Sequence, residues 1–393
     1  MTAPRILISG ASIAGPALAR WLGRNGFDVT VVEKSSAVRP GGQAVDFKGR
    51  THLELLTRMG ILDDVRAQQT AKTDWRLVDA DDRVRAVVPG EFIGGDIEIL
   101  RGDLAGILHR STGGDAEYVF GDEIVSMTEQ SDGVEVAFAS RAAQRFDLVL
   151  GADGVHSAVR RLAFGPEEEF VDARGHYYAV ASGRVPLGGL ETVLPNGRAV
   201  AYGFTTPNRL LLLGGQKAPA LFVFRAPRAD YDRRDLESQR AFLEAAFEGQ
   251  GWRTAAALEA ARTAPDFYLD ALTRTRMSAF TRGRAALVGD AGYANTLGGF
   301  GTGLALLGAY VLAGELVAAR GDHEAAFSAY DRRMRKPTRI ARTGNAGSFL
   351  APPSVSRIRM RDWTFRNPLM LRTMMWMTDA FATDDSIPDY RLV

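Results

Sequence analysis

Three short apolar runs along the chain each end in a glycine. Ile6-Leu7-Ile8-Ser9 meets Gly10, Leu148-Val149-Leu150 meets Gly151, and Ala285-Ala286-Leu287-Val288 meets Gly289. Brief continuous apolar runs bounded by turn residues read as buried parallel strands. After the first, helical spacing covers about 13–24, with Pro16 in the first turn, where its missing N–H costs little, and Gly26 just past the end. Val29-Thr30-Val31-Val32 then makes a second strand that delivers Glu33. The second glycine turn leads into a helical start through Ser157, Val159 and Arg160. The third leads through a glycine-rich loop into a long helix from about Gly303. Its apolar part, 304–319, holds Glu315 and several glycines and is shorter than the ~20 residues that span a bilayer, which predicts a buried helix.

Two stretches depart from this pattern, 71–96 and 172–270. The second alternates strand-like runs, Tyr177-Tyr178-Ala179-Val180, Ala199-Val200-Ala201-Tyr202 and Leu221-Phe222-Val223-Phe224, separated by turn signals at Pro195-Asn196-Gly197 and Pro207-Asn208. The expectation is a mostly antiparallel sheet with a helix over 235–247 on its outer face. Beyond Asp322 the chain reads as helical, broken at Pro337 and Pro352-Pro353. Met370, Met374, Met375, Trp376 and Met377 form an apolar cluster expected to pack inward.

Composition narrows the chemistry. The 393 residues are 46% hydrophobic, enough for a substantial core. Basic and acidic residues balance to a net charge of +1, so no field for nucleic acid is expected. The absence of cysteine excludes disulfides, thiolate metal sites, Cys-x-x-Cys redox chemistry and cysteinyl-linked flavin. No histidine pair has metal-ligand spacing, so no metal is expected. Neither a signal peptide nor a spanning segment is read, and the expected setting is cytoplasmic, without a membrane partner.

The first turn, Gly10-Ala11-Ser12-Ile13-Ala14-Gly15, lies between strand and helix, the context of a dinucleotide fingerprint. Gly10 permits the sharp turn, Gly15 a close helix–strand approach, and the helix N-terminus offers free N–H groups to a pyrophosphate. Glu33, with Lys34 beside it, can serve the adenosine ribose. Ser12 stands where the middle glycine is usual. Gly151-Ala152-Asp153-Gly154 and Gly289-Asp290 are two further turns that a nicotinamide-only domain does not need. FAD is longer and needs a second anchor for its ribityl chain and ring.

These three motifs, with Gly289-Asp290-Ala291-Gly292-Tyr293 as the last, resemble those of the class A flavoprotein monooxygenases, the p-hydroxybenzoate hydroxylase-like family. The chain's length is similar to that of the compact single-component members, including tetracycline-inactivating monooxygenases and polyketide-tailoring hydroxylases. The resemblance implies an α/β fold: a Rossmann-like FAD-binding domain (1–70, 97–171, 271–335), an interleaved antiparallel-sheet substrate domain (71–96, 172–270) and a C-terminal helical segment (336–393). It also implies non-covalent FAD, NADPH or NADH as transient reductant, and hydroxylation of an aromatic or polyketide-like small molecule through a flavin C4a-hydroperoxide. A reductase or dehydrogenase on the same fold, or a non-catalytic FAD binder, are the alternatives. By the resemblance Asp290 meets the ribityl hydroxyls, Asp153 orders the segment near the pyrophosphate, and Arg101 lies near the flavin and its phosphates. Gly42 to Asp46 runs along the flavin edge. Gly299, Gly301 and Thr302 lead into the helix whose N-terminus would face reduced flavin. The family's usual histidine and proline after the Gly-Asp turn are absent, with Tyr293, Thr296 and Leu297 in that region. Candidates for the substrate pocket are Tyr178, Arg198, Tyr202, Phe204, Phe222 and Phe224, and no residue is singled out as catalytic.

Overall fold

The computed structural model describes residues 3–183, 185–216, 220–227, 231–233, 235–299, 301–342, 346–380 and 387–393. The glycine-ended runs lie side by side in it. Leu148–Gly151, Arg5–Ser9 and Asp28–Glu33 pair in parallel at the centre of a six-stranded sheet. Ala285–Leu287 and Glu117–Phe120 extend it in parallel on either side, and the short strand Thr281–Arg282 closes one edge antiparallel. Parallel pairing brings the carboxyl ends of these strands, and hence the three turns, to one edge of the sheet, where open α/β sheets hold their ligands.

Helix Ala14–Arg24 packs against helix Gly301–Ala318. The latter is buried without a break from Gly303 to Leu316. Among the described residues it is the one helix long and apolar enough to cross a membrane, and the fold itself occupies its apolar surface.

A second, seven-stranded sheet takes its strands from Thr73–Val78, Val84–Val88 and the region Val171–Ala181 to Tyr268–Thr275. Its neighbours are antiparallel except Ala199–Thr206 beside Thr73–Val78. Both faces are covered. On the outer face Tyr177, Ala179, Phe222 and Phe224 meet Leu243 and Phe247 of helix Leu236–Phe247, together with Ala257 and Ala261 of helix Thr254–Thr263. Asp235 starts the first of these helices, its carboxylate accepting the Glu237 N–H at 3.0 Å. On the inner face Trp75, Tyr178, Val180, Leu210 and Val223 meet Leu297, Phe349 and Phe365. Phe365 comes from helix Val355–Arg366, which is followed by Pro368–Ala380.

Candidate cofactor and substrate site

The three turns touch one another. Gly10 has φ +103°, and a Cβ there would stand 2.5 Å from the Ala152 carbonyl oxygen, so only glycine lets the first turn lie against the second. A Cβ on Gly289 would meet the Ala14 methyl at 3.3 Å, which seats the third turn on the first helix. Arg160, fully buried, donates to the Ala291 carbonyl at 2.8 Å and also to that of Val155, tying the second turn to the third. Its own backbone N–H is capped by the Ser157 hydroxyl at 3.0 Å. Asp153 accepts the Ser9 hydroxyl at 3.1 Å and the Ala158 N–H at 2.8 Å through one carboxylate oxygen. The other oxygen is buried without a partner among the described residues.

In the first turn Glu33 accepts the N–H groups of Ala11 and Ser35, each at 2.9 Å, while Lys34 beside it is exposed. Ile13, Ala14 and Gly15 open the helix with their N–H groups turned toward the cleft edge, as a helix N-terminus requires. The Ser12 hydroxyl accepts the Arg101 guanidinium. Arg101 begins helix Arg101–Ser111, and its backbone N–H bonds the Gln43 carbonyl at 3.1 Å, which lays the segment from Gly42 to Asp46 alongside it. Asp46 accepts the Gly95 N–H at 3.2 Å.

Asp290 opens the third turn. A Cβ on Gly301 would lie 3.5 Å from its Oδ1. The carboxylate reaches the solvent of the cleft, yet protein closes round it at slightly longer range. Burial pushes its pKa up and the Arg101 charge opposes that rise. Leu297 and Gly299 adopt left-handed φ values of +56° and +82° in the loop that leads to Gly301 and Thr302. Tyr293, standing in the region where the family has a histidine, is packing material. It is buried against Phe280, its hydroxyl lies 3.4 Å from the Leu304 carbonyl and the Tyr330 hydroxyl, and burial pushes it up to about 12.

A groove floored by close glycine turns, with a helix N-terminus at one end and Glu33, Arg101 and Asp290 along it, fits a long dinucleotide. The FAD binding domain family matches residues 4–337, most of the chain. The chain belongs to the class A flavoprotein monooxygenases. This monooxygenase is 42% identical over 333 residues to a protein of Mycobacterium tuberculosis strain H37Rv, covering 83% of this chain and 88% of the relative. It is 37% identical over 396 residues to a flavin-dependent monooxygenase of an unknown prokaryotic organism, covering 98% and 99%. Among solved structures it superposes on tetracycline destructase Tet(51) with a TM-score of 0.79 and 32% identity, covering 99% of this chain and all of that one. The monooxygenase is therefore an FAD-dependent oxidoreductase.

The substrate candidates divide. Tyr178 lies on the inner face of the second sheet, where its hydroxyl feels both Arg101 and Asp290, and burial raises its pKa. The other aromatic candidates lie elsewhere, a correction to the expected pocket. Phe222 and Phe224 point to the outer helices. Tyr202 packs with Val78 and Val200 and donates to the Glu191 carbonyl at 2.8 Å. Phe204 stacks on Trp252 with ring centroids 5.6 Å apart. Arg198 is also not free to read a substrate: its guanidinium bonds Asp74 at 2.5 Å and Glu91 at 2.7 Å.

Sequence reading missed a charged group opposite Tyr178. Register pairs Tyr178 with Asp270, which accepts the Tyr268 hydroxyl at 2.8 Å and lies 3.2 Å from His156 Nε2. His156 also contacts Glu167 at 3.0 Å, and Arg233 lies against both. The alternation Tyr268, Asp270, Leu272 was the available signal, since it places two polar residues on a face that is otherwise apolar.

Proposed function

We propose that this monooxygenase takes electrons from NADPH or NADH and uses molecular oxygen to hydroxylate a flat, polycyclic aromatic or polyketide-like molecule. FAD supplies the redox chemistry, accepting hydride and activating oxygen at its C4a atom. The remaining work belongs to residues of this chain. The N–H groups of Ser12, Ile13, Ala14 and Gly15 hold the pyrophosphate at the helix N-terminus. Glu33 and Lys34 take the ribose, and Asp290 the ribityl hydroxyls. Arg101, Gly42 and Asp46 line the flavin edge, and Asp153 steadies the turn beneath it. Gly299, Gly301 and Thr302 present the start of the long helix, whose positive end favours negative charge on the reduced ring.

The observation that carries this reading is the meeting of the three glycine turns at one edge of the parallel sheet, with Arg101 bonded to Ser12 and Asp290 beside Gly301. A substrate under the inner face of the second sheet lies next to the ring that Asp290 and Arg101 position. The similarity to a tetracycline destructase supports a polycyclic substrate.

The test is the visible spectrum of the FAD-loaded protein under anaerobic conditions, followed by oxygen uptake with tetracycline and other aromatic polyketides. Bleaching by a nicotinamide and substrate-dependent oxygen uptake with formation of an oxygenated product are expected. A flavin that neither nicotinamide reduces would overturn the proposal.

A further inference from the structure

The apolar residues of the two C-terminal helices, the expected cluster of Met370, Met374, Met375, Trp376 and Met377 among them, split into two populations. Phe365 and Met374 turn inward and pack with Phe92 and Phe349. Met360, Trp363, Leu369 and Trp376 are exposed at 53, 54, 69 and 70%. Met370 is exposed too, and the Met377 side chain lies outside the described residues. Such exposure of large apolar side chains is costly unless something covers them.

The spacing is regular. In Val355–Arg366 the solvent side carries Arg359, Met360, Trp363 and Arg366, opposite the buried Ile358, Arg361, Asp362 and Phe365. In Pro368–Ala380 Leu369, Arg372 and Trp376 recur three to four residues apart on the exposed side. Two consecutive helices thus each present tryptophan and arginine together. From 346 to 378 the one acidic residue is Asp362, buried against Arg361 at 3.0 Å, and the next, Asp379, has its side chain outside the described residues. Among the described residues Arg357, Arg359, Arg366 and Arg372 form no ion pair.

We propose that these two helices dock the enzyme peripherally on an anionic phospholipid surface. Charge favours an anionic surface over a second copy of the chain, because a two-fold contact through this patch sets Arg359, Arg366 and Arg372 against one another. Indole rings settle at headgroup depth, arginines reach lipid phosphates, and leucine and methionine enter the acyl boundary. A cavity of about 500 Å³ opens beside the same surface, lined by Arg357, Met360, Phe365 and Met374 among others. Its Phe349 and Phe365 belong to the cluster that holds Tyr178. An apolar molecule dissolved in the bilayer would meet this mouth directly. The sequence reading expected no membrane partner because it looked for a spanning helix, and this surface lies on the membrane instead.

The test is flotation of the full-length, FAD-loaded protein with vesicles of phosphatidylcholine alone or with added phosphatidylglycerol. Expected are binding to the anionic vesicles, little to the neutral ones, and a blue shift of tryptophan emission on binding. Arg359→Gln and Arg372→Gln should each lower partitioning roughly fivefold. Trp363→Ala with Trp376→Ala should lower it further and abolish the emission shift. All four side chains are exposed, so retained flavin absorbance reports an intact fold in each variant. No flotation with anionic vesicles, as an acidic protein partner or self-association would give, overturns the proposal. So does flotation that both sets of variants leave undiminished.

Discussion

The Arg101 guanidinium donates to the Ser12 hydroxyl through Nε at 3.3 Å and Nη2 at 3.1 Å. The residue that departs from the glycine fingerprint is therefore the partner of a cation on the adjoining wall. Serine at this position costs some room for a pyrophosphate, and in exchange it holds Arg101 over the same turn. Arg101→Ala should weaken FAD binding about a hundredfold, the scale of a hydrogen-bonded charge, whereas Ser12→Gly should change it by no more than about tenfold. Titration of apoprotein with FAD by fluorescence quenching measures both. A Ser12→Gly loss as large as that of Arg101→Ala would mean that the hydroxyl binds the cofactor itself.

Asp290 lies on the floor of the cleft with burial pushing its carboxyl up and Arg101 opposing. Its neighbour across the loop is glycine, which leaves a hydrogen-bonding edge open toward a ligand. Asp290→Ala should purify nearly colourless and bind FAD at least about tenfold more weakly, the scale of a lost hydrogen bond from a charged group. Asp290→Asn keeps an acceptor of the same shape and should fall between. Flavin content on purification and FAD dissociation constants distinguish the three proteins. Full yellow occupancy in the alanine variant would take Asp290 out of the site.

Arg198 is a structural residue in its fold context. It clamps Asp74, whose other contact is the Gly90 N–H at 2.8 Å, and Glu91 to the edge of the second sheet. Those partners hold the guanidinium's pKa above its ordinary value. Arg198→Ala should cost about 2 kcal/mol of stability, the scale of hydrogen bonds to a charged group, with KM for the substrate unchanged. Urea unfolding and steady-state kinetics separate the two effects, and a KM shift without a stability loss would return Arg198 to the pocket.

Arg198 also shows what the sequence could and could not convey. The glycine turns were legible because each is a local event: Gly10 takes φ +103° between strand Arg5–Ser9 and helix Ala14–Arg24, both within a few residues of it. Which face of the second sheet looks inward, toward Leu297, Phe349 and Phe365, was not local. Phe222 and Phe224 face helices, Leu221 and Val223 face the cluster of Tyr178, and all four are buried. A sheet covered on both sides loses the alternation of polar and apolar residues that tells inside from outside. The partners of Arg198 lie more than a hundred residues away in the chain, beyond the reach of any spacing rule. Of the C-terminal cluster expected to pack inward, Met374 does and Met370 and Trp376 do not, for the related reason that composition marks apolarity without marking which helix face is covered.

Two histidines give the enzyme opposite pH sensitivities in separate windows. His52 is 3% exposed, its Nδ1 accepts the Lys48 N–H at 3.3 Å, and its ring fills the place a Gly303 side chain would take. Burial pushes its pKa from 6.5 down to about 4. The folded protein thus refuses a proton that the unfolded chain accepts. Stability from His52 is complete above pH 6.5 and is lost as pH falls from there toward 4, by about 3 kcal/mol in all. His156 behaves the other way. Burial disfavours its charge, but Asp270 and Glu167 outweigh that and raise its pKa. Its contribution is complete below the unfolded value and is lost as pH rises through the folded one. His52→Leu should therefore flatten the acid limb of stability, leaving the part due to carboxylates such as Glu167, whose pKa His156 helps hold near 2 against burial. His156→Gln should flatten the limb above pH 6.5, and in the acid limb it should remove only the part that Glu167 contributes below about pH 5, leaving the His52 loss in place. Urea midpoints measured from about pH 4 to 9 on the three proteins decide it. A His52→Leu protein that weakens between pH 6.5 and 4 as steeply as the wild type would show that the buried imidazole is not the acid-sensitive group.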